Sequence, residues 1–113
     1  MNANILKLNW IVVYLVFLYV PNGNAGTSGE DLYLQNCMAC HAYDGSGSMP
    51  GVADFNENGG WKDMSDLSLF SILKQGIQKE GSTVNMPPKG GNPNLTDKEL
   101  KKIIRYMRKA FIK

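Results

Sequence analysis

Residues Cys37 to Pro50 read CMACHAYDGSGSMP. Cys37 and Cys40 lie three apart, His41 follows directly, and the 113-residue chain has no other cysteine and no other histidine. On a helix, positions three apart sit on neighbouring turns of one face, so both thiols would meet the same object. A helix is what the preceding residues predict. Ser28 suits an N-cap, with Asp31 placed to reach back to it in a capping box. Leu32, Tyr33, Asn36 and Cys37 then recur at helical spacing, giving a first helix over about residues 29–40. Beyond the motif, residues 44–60 (DGSGSMPGVADFNENGG) are too rich in Gly, Asn and Asp for a regular element and read as a loop.

Further on, residues 65–75 (SDLSLFSILKQ) predict a short amphipathic helix with Leu69, Ile72 and Leu73 inward and Gly76 at its C-terminal stop. Residues 79–94 (KEGSTVNMPPKGGNPN) carry three prolines and three glycines, which exclude a regular element. A last helix follows. Thr96 is its N-cap, Glu99 the reciprocal partner, and Leu95 and Leu100 can close a hydrophobic staple. Leu100, Ile103, Ile104, Met107 and Phe111 form one apolar stripe, with Lys101, Lys102, Arg105, Arg108 and Lys109 around the remaining surface. No strand pattern competes, so the fold class is all-α, with three or more short helices. Loops this long in so small a domain make sense if they wrap a rigid ligand that supplies the missing core.

The first 25 residues read differently. Lys7 is their only charged side chain, Trp10 to Val20 (WIVVYLVFLYV) is uninterruptedly apolar, and Pro21 ends the run. It falls short of the roughly 20 residues a membrane span needs, and Gly23-Asn24-Ala25 supplies the small residues of a cleavage site. Residues 1–25 are therefore expected to be a secretory signal peptide cut after Ala25, leaving a domain at 26–113; retention as an anchor is the rival. The whole chain has 12 basic and 10 acidic side chains, and a net charge of +2 gives no reason to expect nucleic-acid binding.

Several chemistries could use Cys37, Cys40 and His41. A thioredoxin-like redox pair wants a βαβ setting, which this chain lacks. A structural zinc site needs four ligands, and only three are at hand. A bare disulfide would close a very short loop, stabilise little, and leave the histidine unexplained. The pattern Cys-x-x-Cys-His is the attachment signature of a c-type haem, with both thiols bonded to the porphyrin and His41 on the iron. The other axial position falls to a methionine. Met38 is inside the motif, Met107 lies on the apolar stripe, and Met64 sits just ahead of a helix with no loop to carry it. Met49 and Met86 each precede a proline in a loop, and Met86 is far enough along the chain to approach from the opposite side, on a loop stiffened by Pro87 and Pro88. His41 needs an acceptor for its second ring nitrogen. A backbone carbonyl within Met49 to Gly51, made rigid by Pro50, is the expected one.

With these residues assembled, the chain resembles the class I c-type cytochromes, in particular the small soluble bacterial monohaem type, over residues 28–112. Gly29-x-x-x-Tyr33-x-x-x-Cys37 is similar to that family's N-terminal helix, where a glycine and an aromatic meet the C-terminal helix; Ile103 and Tyr106 look like the other side of the contact. VNMPPKGGNPNLTDKEL resembles the segment that carries the distal methionine. The resemblance also implies that Pro50 gives its carbonyl to the proximal histidine, and that the Trp61 N–H meets a haem propionate or the ring packs. ADFNENGG departs from the family pattern.

The resemblance implies one covalent haem c held by Cys37 and Cys40, ligated by His41 and Met86, in a periplasmic or other extracytoplasmic one-electron carrier that is not an enzyme. It implies redox-protein partners met transiently, no membrane span once the signal is removed, and a monomer or weak oligomer. The alternative is a haem subunit or gas-binding module with an open distal site inside a larger complex.

Overall fold

The structure is a computed structural model that describes residues 26–113. The expected signal segment, residues 1–25, lies outside the described residues. In chain order the elements are α1 (Gly29–Asn36), α2 (Met38–His41), a 3₁₀ turn (Gly60–Asp63), α3 (Asp66–Gln75), a second 3₁₀ turn (Pro88–Gly91) and α4 (Asp97–Phe111). Among the described residues there is no strand, and the single isolated β-bridge joins Ile77 to Met86. The fold is all-α, as the apolar periodicity predicted.

Helix α4 organises the rest. Its N-terminus carries a complete capping box: the Glu99 N–H donates to Thr96 Oγ1 at 3.2 Å, and the Thr96 N–H donates to Glu99 Oε2 at 2.8 Å. Leu100, Ile103, Ile104, Met107 and Phe111 are all buried, the stripe read from the sequence. At roughly 1.5–3 kcal/mol for each fully buried large side chain, this face anchors the domain. Helix α1 packs across it. Gly29 lies so close to α4 that a Cβ there would overlap the Lys102 carbonyl, while the fully buried Tyr33 ring rests on Tyr106 at 5.4 Å and Phe111 at 5.5 Å between centroids. Helix α3 adds Leu69 and Leu73 to the core. Ser65 caps it by accepting from the Ser68 N–H at 3.1 Å, and Gly76 stops it.

Two local differences from the sequence reading have clear causes. The first helix is not continuous to Cys40, because it breaks at Cys37. Asn36, just before the break, is held from outside: its Oδ1 accepts from Asn92 Nδ2 at 2.9 Å, and its Nδ2 donates back to the Leu32 carbonyl at 2.8 Å. The capping box expected at Ser28 is half-formed. Ser28 Oγ accepts from the Asp31 N–H at 3.0 Å, but the Asp31 carboxylate accepts from the serine hydroxyl. Aspartate is one methylene shorter than the glutamate that completes the box on α4.

Candidate functional site

Cys37 caps the single turn of α2 at its start, His41 is its last residue, and Met86 lies in the loop after α3. All three line one cleft of about 480 Å³, whose walls include Leu69, Ile72 and Leu73 of α3 and Ile104 and Met107 of α4. A second cleft of about 170 Å³ shares Cys37, His41 and Met86 with the first and adds Cys40. The volume of the larger cleft is that of a cofactor site, and its lining is mostly apolar. Chain segments far apart in sequence thus bring two thiols and one imidazole to these adjoining clefts together with the thioether of Met86, the one methionine that lines both, while Met64 and Met107 line the larger cleft alone.

Each group is set by its surroundings. Burial, and then the neighbouring Cys40, pushes the Cys37 thiol up to about 11. A reactive redox cysteine shows the opposite, a thiol held low so that the thiolate attacks. No group of three or more His, Cys, Asp and Glu suited to a metal ion exists among the described residues, which removes the zinc reading.

His41 stacks on Phe55, with ring centroids 4.5 Å apart and planes at 15°. Phe55 in turn packs against Trp61 and Phe111, so the imidazole leans on an aromatic wall tied to α4. Burial lowers the His41 pKa and keeps the ring neutral, the form that binds a metal through nitrogen; the Ala53 backbone carbonyl opposes this more weakly. No protein group makes a hydrogen bond of normal geometry to the buried His41 Nδ1.

Among the described residues, no hydrogen bond joins His41 Nδ1 to a carbonyl of the expected segment, Met49 to Gly51. The Met49 carbonyl accepts from the Val52 N–H at 3.3 Å and closes a turn there. Pro50 is exposed and lines neither cleft. The Ala53 carbonyl, beyond that turn, is the backbone group that raises the His41 pKa against the effect of burial.

Met86 is held by its backbone. The Ile77 N–H donates to the Met86 carbonyl and the Met86 N–H to the Ile77 carbonyl, both at 2.9 Å. Gly76, at φ +74°, makes the approach possible, since a Cβ there would overlap the Met86 carbonyl oxygen and crowd Pro87 and Pro88. Trp61 lines the larger cleft, and its Nε1–H donates to the Phe55 carbonyl at 3.1 Å, so the hydrogen that a propionate would need is engaged by the backbone. Sequence reasoning missed Ala53, Phe55, Met64 and Arg108, and it read Gly76 as a helix stop without its link to Met86. The aromatic run of Phe55 and Trp61 across a Gly-rich loop is the one signal that could have flagged the imidazole's support.

The donor set and the apolar walls suit a flat, largely apolar cofactor. Comparison with known proteins agrees. Residues 24–107 match the family described as cytochrome c oxidase, cbb3-type, subunit III. Cytochrome c-555 of Prosthecochloris aestuarii is 32% identical over 85 residues, covering 71% of this chain and 82% of that protein. Cytochrome c5 of Ectopseudomonas mendocina is 33% identical over 88 residues, covering 75% and 92%. No solved structure matches the chain significantly.

Proposed function

Since the chain belongs to the small monohaem c-type cytochromes, with a covalently bound haem c and an electron-carrying role, we propose that it is an exported one-electron carrier whose haem is tethered by Cys37 and Cys40 and ligated by His41 and Met86. The observation that carries this reading is the convergence of those four side chains, and no other cysteine or histidine, on two adjoining apolar clefts. Haem supplies the iron that accepts and returns one electron, and thioether ligation favours the reduced state.

The protein's own part is to hold, to orient and to exclude water. The Ile77–Met86 backbone pair and the Gly76 approach keep the sulfur in place without spending side-chain freedom on it. The Phe55 stack keeps the imidazole from turning. Leu69, Leu73, Ile104 and Met107 are buried walls that keep water from the ring. A site this rigid changes little between oxidation states, which suits a carrier better than an enzyme. No helix among the described residues is long and apolar enough to cross a membrane. The electron donor and acceptor would meet the molecule transiently, through small interfaces.

The deciding experiment is the ferric absorption spectrum of haem-loaded protein with and without Met86→Ala. A weak near-infrared sulfur-to-iron band, present in the parent and gone in the variant, supports Met86. Covalent haem without that band in the parent would overturn the ligand pair and favour the module with an open distal site.

A further inference from the structure

One wall of the larger cleft is built by residues 57–64, including Gly59, Gly60, Trp61 and Met64. Both glycines have positive φ, and the only regular structure is one 3₁₀ turn, so the segment has little stiffness of its own. Its base is tied locally: Trp61 Nε1–H donates to the Phe55 carbonyl at 3.1 Å, and Lys62 Nζ to the Asn56 carbonyl at 3.1 Å. Apart from those two bonds to Phe55 and Asn56, the side-chain hydrogen bonds between this segment and the rest of the domain come, among the described residues, from Arg108 of α4. Arg108 Nη1 donates to the Lys62 carbonyl at 2.8 Å, and Nη2 donates to the Met64 carbonyl. Its Nε donates to Asp66 Oδ1 at 3.0 Å at the start of α3, and the guanidinium lies 5.6 Å from the Trp61 ring centre.

We propose that Arg108 is a positioning residue for the haem: its guanidinium fork pins Trp61 and Met64 as a wall and so sets how much water reaches the ring. The inference rests on the carrier reading above. The fork is planar, with donors in fixed directions, so one group spans two carbonyls, a carboxylate and an aromatic face at once. The Asp66 contact matters least, because that carboxylate is 68% exposed and such pairs contribute little. The two carbonyls and the ring are what hold the wall. They are fixed from α4, the same helix whose Ile104 and Met107 line the cleft, so one element carries a wall and the bracket for another. Water admitted beside a haem favours the more highly charged oxidised iron and lowers the potential.

The test uses haem-loaded protein with Arg108→Lys, which keeps the charge and loses the fork, and Arg108→Met, which loses both. Amide hydrogen exchange over 57–64 should be about tenfold faster in both variants, with the amides of α1 and of α4 unchanged. The reduction potential should fall in both. Exchange that stays as in the parent, or that rises evenly along the chain, overturns the bracket. A potential that falls only in Arg108→Met reduces the effect to charge and overturns it equally. Failure of the carrier reading is visible earlier and separately, as a parent protein without the spectrum of covalent haem.

Discussion

Gly76 and Met86 approach so closely that the glycine's missing side chain is a condition of the methionine's position. A Cβ at Gly76 would overlap the Met86 carbonyl oxygen, and the φ of +74° is itself one that L side chains avoid. Gly76→Ala should therefore destabilise the protein by about 1–3 kcal/mol. It should also weaken the sulfur-to-iron band in the haem-loaded form, because the loop must retreat. Thermal unfolding and the ferric spectrum check both parts. A variant that loses stability while keeping the full band would show that the loop yields elsewhere.

Ala42, directly after His41, has φ 65° and ψ 164°, a conformation that glycine adopts and alanine resists. Its carbonyl accepts from the Tyr33 hydroxyl at 2.7 Å. Tyr33→Phe should cost about 1–2 kcal/mol by leaving that carbonyl without its donor. Ala42→Gly should gain up to about 1 kcal/mol by removing the Cβ strain. Chemical denaturation of each haem-loaded variant measures the difference. Equal stability of Ala42→Gly and parent would mean that the strain is absorbed nearby.

Where α1 crosses α4, Gly29 has the Lys102 backbone on one side and the Tyr106 side chain on the other. Gly29→Ala should separate the helices and cost about 1–3 kcal/mol. The near-infrared band should be retained, since Gly29 lines neither cleft and the Met86 loop is held by Ile77. Unfolding together with the spectrum distinguishes this from Gly76→Ala.

The Glu99 carboxylate is held below its ordinary value of 4.5, chiefly by the Thr96 backbone N–H and then by the Thr96 side chain. The folded pKa lies below the unfolded one, so the unfolded chain binds more protons in that window and stability falls as pH falls through it. The contribution is fully present above about 4.5. Glu99→Gln should flatten the decline in the unfolding midpoint between neutral pH and about pH 3. A parallel decline in parent and variant would remove the capping box from the account.

Helix α4 was fully legible in the sequence because every signal for it is local: a cap, a reciprocal acid three residues on and a stripe at helical spacing. Helix α3 was legible for the same reason. The break at Cys37 was not, since it depends on Asn36 being gripped by Asn92, far along the chain. The motif residues could be named, and so could the methionine, by elimination among sulfurs in loops. The influence of the Ala53 carbonyl on the imidazole was not legible, because it depends on how the loop after the Met49–Val52 turn folds back. Arg108 looked like one more cation on a solvated face. Its role exists only once the Gly-rich loop is folded back against it.

Tyr33 of α1 is buried against Tyr106 and Phe111 in the last turns of the final helix. A polypeptide that emerges N-terminus first therefore cannot bury the residues beside Cys37 until its final helix has arrived. Throughout that interval both thiols stand on an open strand, accessible to attachment machinery, and closure of the domain follows as a later event. Chains ending before Asp97 should keep both cysteines equally open to alkylation, whereas full-length chains should shield Cys37 before Cys40. The order of synthesis thus provides an interval in which Cys37 is as open as Cys40, and the finished fold ends it by partly covering Cys37.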